Sequence, residues 1–173
     1  MADTFESLNL TNALQDALKD IGYTHPTPIQ QKAFSVVLSG RDVVGIAQTG
    51  TGKTYAYLLP ILRNMKFSKE KDPRVLIVVP TRELVLQMVS DIEKLTKYMT
   101  VRVAGIYGGT NINTQAKAMA TGTDILVATP GRLLDLVFNR AIILKSVRQL
   151  VIDEVDEMLN LGFRGQLSSL LDL

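Results

Sequence analysis

The 173-residue chain is of single-domain size, is 46% apolar and carries a net charge of +2. That is enough apolar material for one core, and too small a charge for bulk electrostatics to argue for a nucleic-acid partner. With no cysteine and one histidine, His25, disulfides, thiolate metal sites and histidine metal clusters are excluded. The acidic start has no apolar signal core, and no run approaches the roughly 18 apolar residues of a membrane span. The default expectation is a soluble cytoplasmic protein that meets no membrane.

In chain order, Leu14, Ala17, Leu18 and Ile21 recur at helical spacing and close at Gly22. Thr27-Pro28 opens a second helix, with Ala33, Phe34, Val37 and Leu38 on one face and Gly40 after it. Val43–Ala47 reads as a strand and Thr54–Leu59 as the start of a helix that Pro60 should kink. Phe67–Pro73 is a charged, linker-like loop. Val75–Val79, Val101–Ile106, Ile125–Ala128 and Leu150–Ile152 read as strands, and Arg82–Tyr98 as a helix with Leu84, Met88, Ile92 and Leu95 inward. Runs such as Val75–Val79 lack polar alternation, which suits strands buried on both faces. The expected fold is therefore α/β, a mostly parallel sheet with helices on both faces.

Two segments carry chemistry. Ala47-Gln48-Thr49-Gly50-Thr51-Gly52-Lys53-Thr54 follows a predicted strand and opens a predicted helix. Its pattern is that of a phosphate loop with Ala47 in place of the first glycine. Gly50 and Gly52 let backbone N–H groups turn toward an anion, and the helix N-terminus adds partial positive charge. Lys53 suits the terminal phosphates of a nucleotide, and the Thr54 hydroxyl suits Mg²⁺. The bland alternative is an ordinary glycine-rich connection. Leu150–Ile152 ends in Asp153-Glu154-Val155-Asp156. Asp153 at a strand end suits Mg²⁺, and Glu154 suits the polarising of an attacking water. Here the alternative is an acidic first turn of a helix.

Taken with their neighbours, these residues resemble the DEAD-box family of helicases. Phe5, Gly22-Tyr23, Pro26-Thr27 and Ile29-Gln30 are similar to its adenine-reading Q motif. Ala47–Thr54 is similar to motif I, Pro80-Thr81-Arg82-Glu83-Leu84 to motif Ia, Gly108-Gly109 to the glycine pair and Thr129-Pro130-Gly131-Arg132 to motif Ib. Asp153–Asp156 is similar to motif II, followed by Gly162-Phe163. The resemblance implies a RecA-like domain that binds ATP or ADP with Mg²⁺ and holds RNA by its backbone without sequence preference. Lys53, Asp153 and Glu154 would be catalytic, with Gln48, Thr49, Gly50, Thr51, Gly52, Lys53 and Thr54 on the phosphates and Thr54 and Asp153 on the metal. Gln30 would read the adenine edge, Tyr23 would stack on the base and Phe5 would support it. Pro80, Thr81, Arg82, Gly108, Gly109, Thr129, Pro130, Gly131 and Arg132 would line the RNA track, and Asp156 would couple to a second domain.

Two departures from the family pattern stand out. Val155 replaces the alanine of motif II and puts the packing there in question. The family's Ser-Ala-Thr motif III and its second RecA-like domain, with the transition-state arginines, do not occur within the 173 residues. The chain therefore reads as an incomplete N-terminal RecA-like domain. It is expected to bind nucleotide, hardly to hydrolyse it, and to bind RNA weakly. The motif III strand belongs between Val43–Ala47 and Leu150–Ile152. Three outcomes are open for that slot: another polypeptide fills it, the two strands pair directly, or the sequence is part of a larger one. Two other functions remain in competition, a clamp that never turns over and a different phosphate-loop enzyme.

Overall fold

The computed structural model describes residues 4–48 and 50–173, apart from the side chains of Asn113 and of residues 116–118. The chain forms two compact bodies, one of residues 1–67 and 92–100, the other of residues 68–91 and 101–173.

The first body is helical. A 3₁₀ turn at Phe5–Leu8 closes at Asn9 and buries Phe5. Helix α1 (Asn12–Asp20) starts at Thr11, whose hydroxyl accepts from the Leu14 N–H, and buries Leu14, Ala17 and Leu18 as their spacing predicts. Helix α2 (Pro28–Leu38) has proline at its first position, where the missing N–H costs nothing. Helix α3 (Lys53–Asn64) runs on through a buried Pro60. Helices α2 and α3 pack on each other, and α1 packs on α3.

One expected element fails here. Val43–Ala47 forms no strand. Val44 is 90% exposed and Ile46 92%. A strand is stable when neighbours take up its N–H and C=O groups, and no described strand does so for this segment.

The second body is a four-stranded, all-parallel sheet in the order β2-β3-β1-β4, with β1 Val75–Val78, β2 Val103–Ile106, β3 Ile125–Ala128 and β4 Gln149–Ile152. Register puts Gly105, Val127, Ile77 and Val151 in one row and Ile106, Ala128, Val78 and Ile152 in the next. Successive rows face opposite sides. On the Gly105 side lies the first part, residues 82–91, of helix α4 (Arg82–Leu95): a Cβ on Gly105 would meet Val85 at 2.8 Å and Val89 at 3.1 Å. The glycine therefore lets helix and strand approach. The opposite side forms a core of Leu76, Val78, Ile106, Leu126 and Ala128 with residues of α6 (Pro130–Phe138), α7 (Val155–Asn160) and α8 (Arg164–Leu171). Helix α5 (Ile112–Met119) follows β2. Helices thus lie on both faces, and the two inner strands, β1 and β3, are buried throughout, as expected for strands of a parallel sheet covered on each side.

The inward face of α4 differs from expectation at one position. Val85 is fully buried, whereas Leu84 is only half-buried; Met88, Ile92 and Leu95 are buried as predicted.

The amino ends of the strands are tied by charge. Arg74, Arg102 and Asp124 immediately precede β1, β2 and β3. Asp124 is buried and accepts from Arg74 at 2.8 Å and from the Arg102 side chain and backbone N–H at 2.9 Å each. Burial pushes its carboxyl up, but the bonds from Arg102 and Arg74 outweigh that and hold it below the ordinary value. Arg102 also donates to the carbonyls of Ser68 and Glu70, and Thr123 N–H donates to Lys71. The segment that reads as a free linker is thus anchored. Among the described residues no helix is long and apolar enough to cross a membrane.

Candidate nucleotide and nucleic-acid sites

In the helical body the phosphate loop meets the glutamine expected to read adenine. Gly52 caps α3 at φ +84°, a conformation that strains any residue with a Cβ. A Cβ there would also lie 2.4 Å from Gln30 Nε2. Gln30 is 1% exposed. Its Oε1 accepts from Thr27 N–H at 2.9 Å and its Nε2 donates to Gly52 O at 3.1 Å. The amide fastens the loop to the start of α2, keeping one further N–H and one further lone pair for a base edge.

Tyr23 is 46% exposed, with its ring centroid 5.2 Å from that of Tyr55. An open ring face on a supported tyrosine suits stacking. Phe5 is core.

Lys53 is the first residue of α3, at the positive end of the helix dipole. Among the described residues it has no acidic partner. A cation in that place is unfavourable until an anion joins it, so the loop fits a phosphate chain. Gln48 is held by its carbonyl, which accepts from Thr51 Oγ1 at 2.7 Å, and Gly50 has φ +80°. Thr54, the second helical residue, is half-buried. Thr49 lies outside the described residues.

In the sheet body every remaining candidate follows the carboxyl end of a strand. After β1 come buried Pro80, then Thr81, whose hydroxyl accepts from Leu84 N–H at 3.3 Å, then exposed Arg82. After β2 come Tyr107, Gly108 and Gly109. After β3, Thr129 donates its N–H to Ile106 O at 3.1 Å and caps α6, whose first residues are Pro130, Gly131 and Arg132. After β4 come Asp153 and Glu154. Because the strands are parallel and in register, these loops share one edge of the sheet, where α/β folds bind ligands.

At that edge the Arg82 guanidinium lies 5.0 Å from the Tyr107 ring centroid. The Arg132 side chain is 11% exposed and donates to Gln115 Oε1 at 2.8 Å and to Thr110 O at 3.0 Å. Gly108 and Gly131 have open space where a Cβ would stand, so packing does not require glycine at either position. Tyr107 and Gln115 escape sequence reading. Neither belongs to a motif, and their partners are distant in the chain.

Glu154 adopts φ +54°, a left-handed conformation costing a non-glycine residue about 1–2 kcal/mol. Its N–H donates to Asp153 Oδ1 at 3.0 Å, orienting that carboxylate. Val155 is 47% exposed in the first turn of α7, so its added bulk crowds nothing here. Asp156 is exposed beside it. Among the described residues no three acidic or histidine side chains cluster as a metal cage. Mg²⁺ at nucleotide sites takes few protein ligands, the rest being phosphate and water, so a single carboxylate such as Asp153 suits that chemistry, and so, in the helical body, does a single hydroxyl such as Thr54.

Comparison with known proteins shows the family. The family description "DEAD/DEAH box helicase" matches residues 27–173. The chain is 42% identical to the mouse ATP-dependent RNA helicase DDX4 over 97% of its own length and 25% of that protein. It is 43% identical to the ATP-dependent RNA helicase DeaD of Buchnera aphidicola over 92% of its length and 27% of that protein. It thus spans about a quarter of these relatives. Among solved structures, the RNA helicase Prp28 of Chaetomium thermophilum bound to ADP superposes with a TM-score of 0.88 at 39% identity, covering 97% of this chain and 42% of that one. A hypothetical ATP-dependent RNA helicase of Sulfolobus tokodaii gives 0.84 at 38% identity, covering 94% and 47%.

Proposed function

The chain belongs to the DEAD/DEAH box helicase family, and from that premise we propose that it is the ATP- and RNA-backbone-binding module of an ATP-dependent RNA helicase. The observation that carries this reading is the shared sheet edge. Arg82, Gly108-Gly109, Thr129–Arg132 and Asp153-Glu154 all follow strands that run the same way.

In this reading Gly52 and the first turn of α3 present N–H groups to the phosphates, and Lys53 supplies the charge that α3 otherwise holds unpaired. Gln30 offers its spare N–H and lone pair to the adenine edge, with Tyr23 against the ring. Thr54 and Asp153 would hold Mg²⁺, which supplies charge neutralisation on the phosphates when bound. Glu154 accepts the hydrogen bond that orients the attacking water. The strain at Glu154 argues for a chemical role, because glycine would occupy that backbone position at lower cost. Asp156, exposed at the start of α7, is the residue through which a second RecA-like domain would be coupled.

Arg82 and Arg132 would fork onto RNA phosphates, while Gly109, Thr129 and Gly131 admit the sugar-phosphate chain to the backbone. Such contacts carry no base code, so binding is sequence-tolerant.

ATP hydrolysis by the full-length protein, measured with and without RNA, tests the reading. RNA should stimulate turnover, Glu154→Gln should abolish it, and ADP should bind well over GDP. Equal affinity for the two nucleotides, or turnover indifferent to RNA, would overturn the proposal.

A further inference from the structure

Arg82 and Arg132 follow different strands, β1 and β3, yet both are held by the turn after β2. Arg82 lies over the Tyr107 ring. Arg132 donates to Thr110 O at the other end of the same turn. One side chain closes the arrangement. Gln115, on α5, accepts from Arg132 Nη1 through Oε1 at 2.8 Å and donates from Nε2 to Tyr107 O at 3.2 Å. The glutamine therefore grips Arg132 directly, and grips the backbone of the residue that carries Arg82.

The chemistry of these tethers differs from that at the amino end of the sheet. There Arg74 and Arg102 close on a buried carboxylate, Asp124, and share its single negative charge. Arg132 is bonded instead to two neutral oxygens. The nearest acid, Asp135, is 3.9 Å from its Nε and 64% exposed, where water screens it. A largely buried guanidinium is thus fixed in place while its charge stays available to an anion. A guanidinium has five N–H donors, so each terminal nitrogen retains one beyond these bonds. A glutamate at 115 would hold Arg132 equally well and cancel its charge.

We propose that Gln115 is a positioning residue for RNA: it sets Arg132 and the Tyr107 turn in one arrangement, so that both arginines meet the phosphate backbone together. The proposal rests on the RNA reading of the sheet edge given above.

The test is binding of a short fluorescein-labelled oligouridylate to the full-length protein, with a non-hydrolysable ATP analogue, across a salt series. Gln115→Met keeps length and helix preference but loses both hydrogen bonds. It should weaken binding about three- to tenfold and make the log–log salt slope shallower by about 0.7, the loss of one phosphate contact on a single strand. In an Arg132→Met background the same change should add little, because the effect passes through Arg132. Losses that multiply in the double variant, or Gln115→Met binding like the parent while Arg132→Met does not, would overturn the proposal. Should Gln115→Met fail to melt cooperatively, Gln115→Glu carries the test. Weaker binding with a shallower salt slope supports the proposal, and unchanged binding overturns it. If Arg82→Met and Arg132→Met both bind RNA as the parent does, the RNA reading itself fails and takes this inference with it.

Discussion

Val75-Leu76-Ile77-Val78 and Val43-Val44-Gly45-Ile46 are both short uncharged runs rich in Val and Ile, and they have opposite fates. The first is the central strand β1, paired on both sides, with Ile77 at 0% exposure. The second forms no strand, and its Val44 and Ile46 side chains stand in solvent. β-propensity measures fit to a half-buried, paired surface more than any preference of the backbone alone. What separates the two segments is the presence of neighbours, which no local window contains.

The contrast is broken most directly by truncating each run in the 173-residue chain. Ile77→Ala removes a fully buried side chain and should cost about 2–5 kcal/mol in denaturant unfolding. Ile46→Ala should cost less than about 0.5 kcal/mol, as an exposed change does. Amide hydrogen exchange should likewise be slow over Val75–Val78 and fast over Val43–Gln48. Equal costs, or protection over Val43–Gln48, would mean that the second segment is paired after all.

The comparison sharpens at the amino end of the sheet, where Arg74, Arg102 and Asp124 tie the starts of three strands. Asp124→Ala leaves two partly buried guanidinium groups without their carboxylate and should cost about 3 kcal/mol. The sign of the pH effect follows from the depressed carboxyl. Its stabilisation is present above the unfolded carboxylate value of about 3.9 and is lost as pH falls through the lower folded value. Unfolding free energy measured against pH should therefore fall less steeply below about pH 4 in Asp124→Asn than in the parent. Parallel acid limbs would contradict the assignment.

Much of this architecture is legible in the sequence because short-range rules govern it. Apolar runs without alternation announce a doubly buried sheet, and Thr27-Pro28 and Gly22 bracket helices by backbone chemistry. The phosphate loop and the acids after β4 are legible because a few residue types in a fixed order serve one chemistry. What stays hidden is long-range. Gln30 reads from sequence as an adenine contact, but its bond to Gly52 spans 22 residues. The Arg102 tether of the 68–71 segment spans over 30. Tyr107 and Gln115 belong to no motif, and their significance lies in which arginines they touch. The failed strand belongs with these, since its fate depends on neighbours.

The smallest expected effect comes from the open carboxyl edge, where glycine is present without being needed by the fold. Gly131 is the second residue of α6, and a Cβ there would meet nothing within 4 Å. Alanine is the better helix former, so Gly131→Ala should raise the stability of the domain by about 0.5 kcal/mol. If the glycine is kept open for an RNA sugar-phosphate chain, the same methyl group should stand in that chain's way and weaken oligouridylate binding several-fold. A change that strengthens the fold and weakens a ligand separates packing from function with a single atom. Should RNA affinity hold while stability rises, Gly131 is no part of the track, and RNA contact at the end of β3 would rest on Thr129 and Arg132 alone.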